Sequence, residues 1–177
     1  MPEDEPNRAE WVKMALGRFE GPLVRYAAGI TGNVDAARDV VQDTFLRLCA
    51  ADRAAVDSRL AAWLYTVCRN RALDVMRKER RMVPLTETHE RTWASPTPAP
   101  SALAERRDDE TQVSRVIATL PPNQQEVIRL KFQDALSYKE ISAVTGLSVS
   151  NVGYLIHTAI KSVRRQLETE IRPLEQA

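Results

Sequence analysis

Between Ser148 and Arg165 the chain presents Ser148, Ser150, Asn151, Tyr154, His157, Lys161, Arg164 and Arg165 in that order, hydrogen-bonding side chains first and cations last. At about 100° per residue, Ser150, Gly153, Tyr154, His157, Lys161, Arg164 and Arg165 share one face of a helix. Such a face suits a nucleic-acid duplex, because amides and hydroxyls reach base edges while cations lie on phosphates. The opposite stripe, Val152, Ile156, Ala159, Val163 and Leu167, recurs at helical spacing and predicts a buried side. His157 has no partner at metal-ligand spacing, so the chemistry on offer is recognition and not metal binding.

Holding that face against DNA requires a second helix and a tight turn. Ser137 followed three residues later by Glu140 forms a capping box, which satisfies free amides at a helix start and places that start near Tyr138. Ile141 and Val144 supply its apolar side. Thr145-Gly146 ends it, since glycine readily takes a left-handed backbone. Leu147 carries the turn, and Ser148 or Ser150 caps the helix that follows. The pattern is a helix-turn-helix. Gly153 costs about 1 kcal/mol relative to alanine inside a helix, a hint that its backbone lies close to another group.

A second set of residues lies upstream. Along LAAWLYTVCRNRALDVMRKERR, Ala61, Leu64, Tyr65, Cys68, Ala72, Val75 and Met76 share an apolar face, and Arg59, Trp63, Thr66, Asn70, Asp74, Arg77 and Arg81 share the other. An aromatic among cations and amides has the composition of a single-strand platform, where bases stack on the ring and arginines hold phosphates. Packing of Trp63 beneath a neighbouring helix, beside a solvated charged face, is the competing reading. In the stretch Asp39 to Ala50, Val41, Phe45 and Leu48 make a core stripe, yet Leu46 falls beside Asp39, Gln42 and Asp43. That is either a protein-docking patch, with an apolar anchor and steering charges, or a singly exposed leucine.

Helical periodicity runs through most of the 177 residues and no alternating β-branched runs occur, so the fold expected is all-α. Helices are predicted over Ala9 to Ala28, Val34 to Ala50, Arg59 to Arg81, Thr111 to Leu120 and Pro122 to Phe132, then the helix-turn-helix. Pro84, Pro96, Pro98 and Pro100 mark a flexible, Pro-rich tether. The organisation expected is two small helical domains, 1–82 and 111–177, joined by a linker over 83–110, the C-terminal domain being the helix-turn-helix. The formal net charge of +1 hides an uneven distribution. Arg59, Arg69, Arg71, Arg77, Lys78, Arg80 and Arg81 are set against only Asp74 and Glu79 in the third helix, whereas the tether leans acidic, with Glu87, Glu90, Glu105, Asp108, Asp109 and Glu110 against Arg91, Arg106 and Arg107. Two basic modules thus flank an anionic strand. Cys49 and Cys68 lie on apolar stripes outside any metal-ligand or redox motif, which reads as free buried thiols in a reducing compartment. No apolar run approaches a membrane span, and the acidic start MPEDEP is unlike a signal peptide, so a cytoplasmic protein without membrane insertion is expected.

Taken in order, DVVQDTFLRL, AWLYTVCRNRALDVMRK, a Pro-rich tether and LPPNQQEVIRLKFQDALSYKEISAVTGLSVSNVGYLIHTAIKSVRR resemble the two domains of bacterial sigma factors, of the compact extracytoplasmic-function (ECF) group. The resemblance covers roughly residues 10 to 168. It implies an RNA polymerase subunit that directs promoter-specific initiation without catalysing a reaction or needing a cofactor. It implies that Asp39, Gln42, Asp43, Phe45 and Leu46 dock on the clamp of the polymerase core. It further implies that the loop from Ala50 to Ser58 and the following helix, with Arg59, Trp63, Arg69, Asn70, Arg71, Arg77 and Lys78 as candidates, capture and open the -10 element, a base being flipped into a protein pocket. The tether would thread near the active-site cleft and RNA exit path. The helix bearing Ser148, Ser150, Asn151, Tyr154, His157, Lys161, Arg164 and Arg165 would read the -35 element.

One departure stands out: Gly153, Tyr154 and Leu155 are uncharged where such proteins often carry Lys or Arg. Either Ser150, Asn151, Tyr154 and His157 read the element, or the domain binds DNA weakly and leans on polymerase. The partners implied are core enzyme, promoter DNA and an anti-sigma protein, with a monomer when free. The rivals are a conventional helix-turn-helix regulator acting without polymerase, which would need a dimerisation or sensor domain, a recombinase, which would need a nucleophile cluster, and a purely helical interaction protein.

Overall fold

The computed structural model describes residues 5–82 and 112–171, all of whose regular elements are helical. In the N-terminal half, α1 (Glu5–Thr31) and α2 (Val34–Ala50) turn at Gly32 and Asn33, where the Asn33 carbonyl side chain accepts from the amides of Asp35 and Ala36 and so starts α2. A short α3 (Arg53–Val56) runs into a 3-10 turn over Asp57–Arg59 and then α4 (Leu60–Met82). The first, second and fourth helices pack as a bundle around Leu23, Val40, Leu48, Leu64 and Tyr65. Two polar ties hold the end of this bundle. Arg8 donates to the carbonyls of Cys49 and Ala51 at 2.6 Å each, covering acceptors left free where α2 stops, and the Trp11 indole donates to Asp57 at 2.7 Å.

In the C-terminal half, residues 112–118 form α5, followed by α6 (Pro122–Phe132), α7 (Tyr138–Thr145) and α8 (Val149–Ile171). Proline at the first position of α6 costs nothing, since that amide has no helical partner. The buried Gln125 side chain donates to the carbonyls of Ala118 and Leu120, at 3.0 and 2.7 Å, and so fixes the angle between α5 and α6. Val127, Leu130, Ile141, Val152, Ile156 and Ala159 form the core of this half.

Most of the expected helices are present with ends shifted by a few residues, and the capping box, glycine turn and buried stripe of the helix-turn-helix are all in place. The stretch read as a loop from Ala50 to Ser58 is largely helical, because Asp52 accepts from the Ala54 amide and starts α3. Cys49 is exposed and not buried, since the stripe it was assigned to turns past the core at the end of α2; Cys68 is buried, and burial pushes its thiol up to about 12. The tether predicted over 83–110 lies outside the described residues. The two helical domains are not apart: α4 lies along α7, and one apolar core runs through both.

Candidate functional site

The turn between α7 and α8 is fixed by local chemistry. Ser137 accepts from the Glu140 amide at 3.3 Å while the Glu140 carboxylate accepts from the Ser137 amide at 2.7 Å, completing the capping box. Gly146 adopts φ 76°, and its amide returns to the Ser142 carbonyl. The Ser142 hydroxyl donates to the Leu147 carbonyl at 2.6 Å, across the turn. Ser148, and not Ser150, caps α8: its oxygen accepts from the Asn151 amide at 3.2 Å. Ser150 is thereby left exposed on the first turn of the helix.

Along α8 the two faces divide as the spacing requires. Val152, Ile156 and Ala159 are buried, and Val163 and Leu167 are half-buried. Ser150, Asn151, Tyr154, His157, Lys161, Arg164 and Arg165 are exposed, Tyr154 to 66%. The three uncharged positions have three different fates. Leu155 is 6% exposed and belongs to the core, which removes it from any DNA-reading face. Gly153 is half-buried with the Tyr138 ring beside it, and a Cβ there would lie 3.6 Å from that ring, an ordinary contact. Tyr154 alone points outward. The Tyr138 ring is held in turn by the Lys131 ammonium, 5.3 Å from its centroid.

Arg59, at the end of the 3-10 turn, and Asn70, Arg77 and Lys78 of α4 are exposed, Arg77 pairing with Asp74 one turn away at 3.2 Å. Trp63 is half-buried and packs against the core, so the structure has features of both readings of its role. Two of the arginines named as -10 candidates are engaged in ion pairs. Arg71 pairs with Asp43 of α2 at 2.7 Å. Arg69 reaches out of its domain and forks onto Glu126 of α6, Nε to Oε1 at 2.7 Å and Nη2 to Oε2 at 3.2 Å. Burial pulls the Arg69 guanidinium down, and the hydrogen-bonded Glu126 carboxylate more than reverses that, leaving it above its ordinary value.

On α2, Asp39, Gln42 and Leu46 are exposed, Leu46 to 62%. Phe45 is 6% exposed and is a core residue, because it lies on the stripe of Val41 and Leu48; only its edge contributes to an open groove of about 700 Å³ between α1 and α2, lined also by Val12, Leu16, Val24 and Leu46. Asp43, tied to Arg71, is half-buried.

Sequence reasoning missed Tyr26, Glu126 and Asp134. The Tyr26 hydroxyl donates to the same Glu126 oxygen that Arg69 holds, at 2.8 Å, and its ring meets Tyr65 edge-on. Asp134 lies close to Tyr65, Arg25 and Arg129, and burial raises its carboxyl to about 6 against the lowering pull of all three. No sequence signal pointed to them; in the structure Gln125 to Leu130, six consecutive residues of the 11-residue α6, are all buried, polar ones included. A helix covered on every side needs a second surface to cover it. Among the described residues no group of three His, Cys, Asp or Glu is placed to hold a metal, and no helix is long and apolar enough to cross a membrane.

A helix-turn-helix with a cationic outer face, joined to a second basic helical domain, is the arrangement of a DNA-binding protein. Residues 16–82 match the family Sigma-70 region 2, and residues 110–163 match Sigma-70, region 4. The ECF RNA polymerase sigma factor SigW of Bacillus subtilis is 30% identical over 158 residues, 84% of this chain and 84% of that protein. EcfG of Rhodopseudomonas palustris, of the same description, is 30% identical over 138 residues, 77% of this chain and 74% of its own length. In fold, the chain is similar to the sigma factor RpoE solved in complex with the anti-sigma factor NepR from Bartonella quintana, with a TM-score of 0.63 and 24% identity over 88% of this chain and 96% of that one. The chain belongs to the ECF RNA polymerase sigma factors. Its function is promoter recognition for RNA polymerase, as a non-catalytic subunit.

Proposed function

We propose that the work is divided among three surfaces. The outer face of α8 lies in the major groove of the -35 element: Ser150, Asn151, Tyr154 and His157 face bases, and Lys161, Arg164 and Arg165 face phosphates. The observation that carries this is the exposure of that whole face on a helix whose start is fixed by the Gly146 turn and the Ser148 cap. Ser148 serves as the helix cap. With Leu155 in the core, Tyr154 replaces a cation at the outward position, so discrimination rests on hydrogen bonding and ring contact while the later cations supply affinity.

The second surface is the exposed side of α4 with the α3 segment. Arg59, Asn70, Arg77 and Lys78 are placed to hold the -10 strand and Trp63 to stack a base, with Arg69 and Arg71 joining once their partners release them. The third surface is α2, where Leu46 anchors the polymerase core and Asp39, Gln42 and Asp43 steer it, Phe45 supporting the patch from below. The domains are 1–82 and 111–177 about a linker over 83–110. Core enzyme and promoter DNA are the working partners, an anti-sigma protein is the restraining one, the free chain is a monomer, and the compartment is the cytoplasm.

The docking surface is tested by capture of purified core. Leu46→Glu puts a charge where an apolar anchor is buried, and recovery of core should fall at least tenfold with the helical content unchanged. Capture at the wild-type level would move the docking surface elsewhere on the chain.

A further inference from the structure

The segment from Ala51 to Arg59 buries too little apolar surface to hold its own shape. Val56 is buried, while its neighbours in the segment are exposed or half-buried. The four-residue helix Arg53–Val56 is also far below the length at which a helix is stable by itself. Its conformation is fixed from outside, by the first turns of α1. Arg8 donates to the carbonyls of Cys49 and Ala51, 41 and 43 residues away in sequence, where the segment begins. Trp11, 3% exposed, donates its indole N–H to the Asp57 carboxylate at 2.7 Å, 46 residues away, where the segment turns into α4. Between these ties the Arg53 guanidinium lies 5.6 Å from the centroid of the Trp11 ring. The same bonds arrange the charges. Asp52 accepts from the Ala54 amide and Asp57 from Trp11, so both carboxylates are turned on the protein while Arg59 is left exposed.

We propose that Arg8 and Trp11 are positioning residues for capture of the -10 strand: from α1 they hold residues 51–59 ready-shaped beside α4, so that an unpaired base meets a surface that needs no further ordering. The proposal rests on the assignment of α4 and the α3 segment to the -10 element and deepens it. Strand opening is the step that depends on this most. A base taken out of the stack loses stacking and pairing, and contacts made in the opened state must offset that loss. A segment that ordered itself only on capture would subtract its own conformational entropy from those contacts. Closed-complex binding rests on duplex contacts and on the α2 docking patch, of which Trp11 forms no part.

Holoenzyme assembled from purified core and the full-length chain, on a promoter fragment recovered by run-off with the wild type, tests this through the permanganate reactivity of unpaired thymines followed against time. Trp11→Phe keeps a ring in the core and deletes the N–H donor. Its opening rate at saturating holoenzyme should fall roughly three- to tenfold, the loss of one charge-assisted hydrogen bond, with core capture and closed-complex affinity within about twofold of the wild type. Asp57→Asn, which keeps a carbonyl acceptor, should retain most of the rate. Asp57→Ala should lose as much as Trp11→Phe, and joining the two should add little more, because both remove the same bond. Opening by Trp11→Phe at the wild-type rate overturns the proposal. So does a loss of opening, core capture and closed-complex affinity in one proportion, which is the mark of a smaller folded fraction. If Trp11→Phe loses helical content, Asp57→Ala, whose parent side chain is exposed, is judged by the same criteria. Trp63→Ala separates the proposal from its premise: opening impaired by Trp63→Ala but not by Trp11→Phe sinks the positioning role alone, whereas opening untouched by Trp63→Ala counts against the assignment of α4 to the -10 element.

Discussion

Gly153 shows how much one residue can mislead and inform. Its presence inside a recognition helix signalled a close neighbour, and the neighbour is the Tyr138 ring, which would still accommodate a methyl group at 3.6 Å. Gly153→Ala should therefore raise stability in urea by about 1 kcal/mol, the difference in helix propensity, with affinity for -35 duplex unchanged. A loss of DNA affinity would mean that the nucleic acid, and not the tyrosine, needs the space. Side chains whose surroundings are local were legible in this way: Ser137, Glu140, Gly146 and the exposed Leu46 all follow from spacing alone. Arg69 and Phe45 were not. Phe45 was counted in a docking motif although its own stripe placed it in the core, and nothing near Arg69 in sequence reveals Glu126.

At the scale of elements, α8 concentrates its hydrogen-bonding groups in the first turns and its cations further along, and the two parts should respond differently to substitution. Removing Arg164 and Arg165 together should weaken binding to every duplex alike and reduce the slope of log affinity against log salt by about 2, roughly 0.9 for each phosphate no longer neutralised. Fluorescence anisotropy over a salt series reads this directly, and a changed sequence preference would make these residues base readers. Element type was legible because amphipathic spacing is strong in α2, α4 and α8. Element ends were less so. The segment from Arg53 to Arg59 is too short to show a period, and its helical form depends on the Asp52 cap and the Trp11 to Asp57 bond, the latter made by a residue far away in sequence.

The whole molecule is where the sequence was least readable, because the contact between the two domains joins residues separated by 57 and 100 positions and periodicity carries no long-range pairing. Its chemistry predicts an unusual pH response. With the Asp134 carboxyl raised from 3.8 to about 6, the folded chain binds more protons than the unfolded one between those values, so its stability falls as pH rises through that window. Facing that carboxyl are Tyr65 and Arg25 from the N-terminal domain and Arg129 from its own side. Asp134→Asn, which cannot ionise, should lack this loss and be more stable than wild type at pH 7 by on the order of 2 kcal/mol, the difference vanishing near pH 4. Urea titrations at pH 4 and pH 7 measure it; a variant less stable at pH 7 would mean that the ionised carboxylate is held favourably by Arg25 and Arg129.

Run-off transcription on a genomic fragment library, with purified core enzyme and with or without the full-length chain, weighs the assignment of the molecule most directly. The chain should confer initiation at a discrete set of start sites that share one upstream sequence pair, and Leu46→Glu should abolish them all. Transcripts identical with and without the chain would contradict it.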